Sequence, residues 1–199
     1  MLDSYHKQKL RERPILFSGP MVSAILAGRK SQTRRIARKN SGKHPYGSDG
    51  DRLWVREQHA IYRADGYFVE SDWCLYRADD PTWRHPEGFA REHSLRWRPP
   101  IHMPRWASRI DLTITSVRRE QLQEISGGDC IREGVWPSEE RQLGKSHLAI
   151  KRYADLWDAM HAKQGHGWAT NPMVWVIDFD VCHVNKENAI RPAESDKCC

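Results

Sequence analysis

The stretch Ile25-Leu26-Ala27-Gly28-Arg29-Lys30-Ser31-Gln32-Thr33-Arg34-Arg35 changes its hydrophobic period in the middle, and the reading of the fold starts there. Upstream, Met21, Val22, Ile25 and Leu26 recur at helical spacing and give one apolar face. Ser18 stands where a helix N-cap is wanted. Pro20 suits the first turn, because its missing N–H costs nothing there. Gly28 ends the helix at a position that favours a left-handed residue. Downstream the chain reads as a strand, with Thr33 and Arg35 on one face and Gln32 and Arg34 on the other. Before the helix, Pro14-Ile15-Leu16-Phe17 is a short apolar run consistent with a first strand.

Further along, residues 40–50 are rich in Gly, Ser and Lys and read as a loop. Asp49-Gly50-Asp51 turns into a strand at Arg52-Leu53-Trp54-Val55-Arg56-Glu57. Tyr67-Phe68-Val69 and Cys74-Leu75-Tyr76 suggest a hairpin, and residues 81–98 read as an inserted flap. The stretch from Arg98 to Trp106 holds too many prolines for a central strand and is expected to run extended along the sheet. Arg109 to Val117 alternates cleanly and predicts a half-buried strand. Ser126-Gly127-Gly128-Asp129 caps a short helix ending near Gly134. Ala149 to His161 predicts a longer helix with Tyr153, Leu156, Trp157 and Met160 on one stripe, and Met173 to Phe179 predicts a central strand.

Short strands mixed with three helices, without a βαβ rhythm, argue for an α+β barrel rather than a Rossmann fold. The expected organisation is a flexible basic arm over 1–13, a single domain over 14–183 with an insertion around 58–107, and a disordered tail over 184–199.

The 199 residues are 39% hydrophobic, and no apolar run approaches the roughly 20 residues of a membrane span. The polar N-terminus lacks the apolar core of a signal peptide, so a cytoplasmic location is expected. The five cysteines form neither a disulfide framework nor a CxxC knuckle, and reduced thiols are expected. Cys182-His183 offers two metal ligands without a second pair, so no metal site is expected. The absence of a GxGxxG or P-loop removes support for nucleoside-triphosphate chemistry, and no cofactor is expected. His44, His59, His85, His93 and His102 could supply acid-base groups to a ribonuclease, but spacing places no pair, and most of them read as surface histidines.

Net charge is +6, and the excess lies mostly between Lys7 and Lys43. Arg29, Lys30, Arg34, Arg35, Arg38 and Lys39 either form a basic patch that attracts phosphate or a solvated charge run. Nine tryptophans supply both core residues and candidate stacking platforms for bases.

The pattern Gly28, Lys30, Thr33 and Arg35 resembles the ASCH family signature, Gly-x-Lys-x-x-(Glu or Thr)-x-Arg. The order of elements is similar too, from the helix before the motif to the closing Trp175-Val176-Ile177-Asp178-Phe179. The resemblance covers roughly residues 14–181, with a longer middle than the compact members, as in larger ASCH proteins of phages and prophages. It implies a PUA-like β-barrel with flanking short helices that contacts nucleic acid or a modified nucleoside. Some small bacterial members hydrolyse the acetyl amide of N4-acetylcytidine. Carried over, the catalytic Lys, Thr and Glu fall on Lys30, Thr33 and Glu133, with Arg35 in support. Gly28, Arg34 and the alternative carboxylate Glu57 complete the substrate-binding set.

Amide hydrolysis needs a nucleophile, a base and a group to hold the oxyanion. Thr33 is a weak nucleophile until a neighbour takes its proton. Lys30 does so only as a neutral amine, which requires burial or nearby cations such as Arg34 and Arg35 to depress a pKa of about 10.4. Glu133 would position the base or protonate the leaving amine. Each residue also has a plain structural reading: Lys30 at a helix C-terminus, Thr33 as a strand former, Glu133 paired with Arg132 or Lys151. Three functions stay open: an amidohydrolase on N4-acylated cytidine, a non-catalytic RNA or DNA reader of a modified base, and a metal-independent ribonuclease.

Overall fold

The computed structural model describes residues 10–37, 44–62, 73–79, 96–135 and 146–184. In chain order these hold β1 (Glu12–Leu16), α1 (Gly19–Leu26), β2 (Gln32–Ile36), β3 (Arg52–Arg56), β4 (His59–Tyr62) and β5 (Trp73–Tyr76). Then come β6 (Ile110–Gln121), α2 (Gly127–Arg132), α3 (Ser146–His161) and β7 (Met173–Val184). Five strands form one mixed sheet in the order β1-β3-β6-β7-β2, and β4 pairs with β5 apart from it.

Two twelve-residue strands carry this sheet. β6 and β7 pair antiparallel from Ile110↔Val184 to Gln121↔Met173, with register shifts after Asp111 and Ile114. β1 lies parallel to β3, and β2 closes the other side antiparallel to β7. Side chains alternate across β7 as a period of two requires. Ile177 and Phe179 pack with Ile15, Phe17, Val22, Ile25 and Leu53 beneath α1. Val174 and Val176 face the opposite way, against Tyr153 and Trp157 of α3 and Cys130 of α2. Each such fully buried aliphatic side chain contributes about 1.5–3 kcal/mol.

The architecture is α+β, with the expected barrel left open. β1 and β2 are the two edges, and among the described residues no ladder joins them. The chain passes from one to the other through α1, whose Val22 and Ile25 fill the space with apolar contacts. The edges still touch at one point, where Arg35 Nη2 donates to the carbonyl of Leu16 at 2.6 Å.

Local signals explain most boundaries. Pro20 sits in the first turn of α1 and Gly28 has φ +68° at its end. Ser18 takes the N-cap position in extended conformation, yet its side chain makes no capping bond. α2 has a reciprocal capping box between Ser126 and Asp129. β5 pairs with β4, and residues 67–69, the expected hairpin partner, lie outside the described residues. The proline-rich segment forms two 3-10 turns, Pro100–His102 and Arg105–Ala107, in place of an extended run. His59 is fully buried, against the surface position expected, and its Nδ1 meets the Glu57 carbonyl. Among the described residues no helix is long and apolar enough to cross a membrane.

Candidate functional site

The motif strand is an edge strand, and it is there that charge is concentrated. Lys30, Thr33, Arg34 and Glu133 are all buried. Gly134, with φ +77°, turns the chain after α2 so closely that a Cβ there would lie 3.1 Å from the Cβ atoms of Ala24 and Lys30. That turn brings Glu133, distant in sequence, onto the motif.

Lys30 Nζ donates to Glu133 Oε2 at 2.7 Å, to the Glu133 carbonyl at 3.0 Å and to the Gln32 carbonyl at 2.7 Å. An ammonium has three protons, and these acceptors take all of them. Burial pushes the Lys30 pKa down, while the Glu133 carboxylate opposes that shift. Arg34 Nη1 donates to Gln32 Oε1 at 2.7 Å and to Glu133 Oε1 at 3.2 Å. Its Nη2 reaches Glu120 Oε1 at 2.6 Å and ion-pairs with Asp129 Oδ2 at 3.4 Å. Burial disfavours the Arg34 charge, but Glu133, Tyr153 and Glu120 together hold its pKa above the ordinary value. Arg118 extends the network outward to Glu120, Asp129 and Asp178.

Arg35 is placed differently. Its guanidinium lies over the Phe17 ring at 5.1 Å and, among the described residues, bonds the neutral Leu16 carbonyl. Among the described residues no carboxylate pairs with it, and its Nε is buried without a hydrogen-bond partner.

Thr33, Arg34, Arg35 and Glu133 line one cavity of about 400 Å³ at the seam between β1 and β2. Leu16, Phe17, Met21 and Ala24 form one wall, and α3 forms the opposite wall with Tyr153, Leu156, Trp157, Met160 and His161. Leu16, Leu156 and Met160 are partly exposed and make the mouth apolar. Lys30 does not line the cavity; it stands behind Glu133. Gly28 acts through its backbone, as the left-handed stop of α1. Glu57 lies elsewhere, bonded to Arg109 at 2.8 and 3.0 Å, and burial raises its pKa. Glu133 pairs with Lys30 and Arg34, not with Arg132 or Lys151.

Several site residues carried no motif signal. Glu120 and Asp129 join the charge network across long sequence separations, and Gln32 joins it from the same strand, two residues before Arg34. Tyr153, Trp157 and His161 repeat at i, i+4 and i+8, a spacing that puts all three on one helix face. His161 stacks on Trp157 with ring centroids 4.3 Å apart, and its Nδ1 is buried without a partner. Burial, then the Arg35 charge, lowers its pKa. Of the expected basic patch, Lys30 and Arg34 point inward and are neutralised by carboxylates, Arg29 is exposed, and Arg38 and Lys39 lie outside the described residues. Among the described residues no group of His, Cys, Asp and Glu could hold a metal ion. Cys74, Cys130 and Cys182 are free thiols.

No family model and no curated protein matches the chain. Two solved structures are similar to it. An ASCH domain from Lactobacillus crispatus matches at TM-score 0.42 and 12% identity, covering 87% of this chain and 80% of that one. A protein from Enterococcus faecalis matches at TM-score 0.46 and 10% identity, covering 92% and 86%. Likenesses this distant carry no argument about function.

Proposed function

We propose that the seam cavity binds a single modified nucleoside, and that N4-acylated cytidine is the ligand class it suits best. One observation carries this reading: a hydroxyl, a carboxylate and a guanidinium, from Thr33, Glu133 and Arg35, share a cavity with Ser18, Arg34 and His161, and its remaining walls are mostly aromatic and apolar. Few polar groups among apolar walls is the usual make-up of a small-molecule site. Phe17, Tyr153 and Trp157 offer ring surfaces for a base, and the apolar mouth suits an acyl group. The inward turn of Lys30 and Arg34 withdraws these two cations from a polynucleotide backbone.

Hydrolysis of the acyl amide is a second reading, favoured by Thr33 and Glu133 lining the same space. Thr33 Oγ1 would attack the acyl carbon, and its proton would pass to the Glu133 carboxylate and from there to the leaving cytosine amine. Water would then cleave the acyl-threonine ester to release acetate, and Lys30 and Arg34 would fix the Glu133 carboxylate. The test is calorimetric titration with N4-acetylcytidine alongside chromatography for released acetate. Saturable binding supports the pocket. Acetate release that disappears in Thr33→Val assigns hydrolysis, and binding without release leaves a reader of the modified base. Failure to bind the nucleoside, together with salt-sensitive binding or metal-free shortening of plain RNA, sinks the reading.

A further inference from the structure

We propose that the cavity contains a phosphomonoester subsite at Arg35, so that its ligand is the 5′-monophosphate of the modified nucleoside. This rests on the nucleoside reading above. The argument is one of charge matching around β2. Lys30 and Arg34 are each tied to carboxylates, and Glu133 in the cavity is thereby neutralised. Arg35 alone of these three cations has no carboxylate among the described residues.

Arg35 is half-buried, but its Nε–H is cut off from water, and a guanidinium so placed gains from a counter-charge. Here the protein supplies a carbonyl oxygen and a ring face, neither of which carries a full negative charge. The Nε–H left without a partner belongs to the planar fork that matches phosphate in two parallel bonds. His161 lines the same cavity, and its imidazole offers a second group to a phosphate oxygen. Burial first, and the Arg35 charge next, lower the pKa of that imidazole; an entering dianion opposes the second effect.

The experiment titrates the full chain, at physiological salt, with three probes. These are N4-acetylcytidine, its 5′-monophosphate, and a short oligoribonucleotide carrying one internal N4-acetylcytidine. The monophosphate is expected to bind at least about tenfold more tightly than the nucleoside, the usual effect of an added charge-assisted bond. Arg35→Gln should erase that ratio, which is read within each variant so that any loss common to both probes cancels, and Arg35→Lys, which keeps the charge without the fork, should restore part of it. The wild-type comparison decides the matter even if a variant does not fold. An oligonucleotide weaker than the monophosphate supports the phosphomonoester subsite, and one as tight as the monophosphate overturns it in favour of a phosphodiester within a chain. Equal affinity for nucleoside and monophosphate overturns it and leaves the nucleoside pocket standing. Binding of none of the probes overturns the pocket itself.

Discussion

The ammonium of Lys30 and the carboxyl group of Glu133, 103 residues apart in the chain, are joined at 2.7 Å inside the protein. Glu133 also takes Arg34 at 3.2 Å, so it serves two cations while Lys30 serves one carboxylate. Removing the shared partner is therefore worse than removing one of its clients. Glu133→Gln is expected to lose about 3–5 kcal/mol, because Lys30 loses its one carboxylate among the described residues and Arg34 loses one of three. Lys30→Met should lose less, since Arg34 still neutralises Glu133. Urea unfolding with unchanged slope measures both, and the reverse order would show that the network is apportioned otherwise.

Asp129 gives a pH dependence with a definite sign. Burial works against its charge, but hydrogen bonds from Ser126 and the nearby Arg34 outweigh it and hold the carboxyl well below the usual range. The folded pKa thus lies below the unfolded one. Between the two, the unfolded chain binds more protons, so this stability is complete above about pH 4 and drains away as pH falls further. Denaturant titrations across the acid range should show that slope, and Asp129→Asn should flatten it.

Two glycines with left-handed backbone differ in their surroundings. Gly28 has nothing within 4 Å of where a Cβ would sit, whereas Gly134 faces Ala24 and Lys30 at 3.1 Å. Gly28→Ala is expected to cost about 1 kcal/mol, for the conformation alone. Gly134→Ala adds a steric clash and should cost about 2–3 kcal/mol. Thermal melts of the pair settle the order, and equal losses would show that the Gly134 turn relaxes freely.

Adjacent residues of α3 separate stability from binding. Trp157 is 1% exposed, and its Nε1 donates to the His166 carbonyl at 2.7 Å. Trp157→Ala should cost about 3–5 kcal/mol. Leu156 is 38% exposed at the cavity mouth. Leu156→Ala should cost about 1 kcal/mol or less, yet narrow the preference for acylated over plain cytidine. An unchanged preference would remove the acyl group from that part of the mouth.

What could be read from the chain depended on how local the cause was. The helix before Gly28, the face shared by Thr33 and Arg35 and the stripe of Tyr153 and Trp157 follow from spacing, and each appears in the structure. The cap at Ser126 and Asp129 was legible because both partners lie within one turn. Sheet order was not, since β1 finds β3 and β2 finds β7 across long gaps. The pairing of β5 with β4 was missed because strand propensity names no partner. Burial of Arg34 could not be anticipated either: its carboxylates come from β6, α2 and the turn after α2. His161 escaped notice because a cavity belongs to the packed chain and not to any single element.

The contact between Arg35 and the Leu16 carbonyl fastens the two rims of the sheet with one button instead of a seam of stitches. A guest that claims the same Nη2 proton has to undo that button. Occupancy and the span of the curl then become a single variable, set by which acceptor the guanidinium holds.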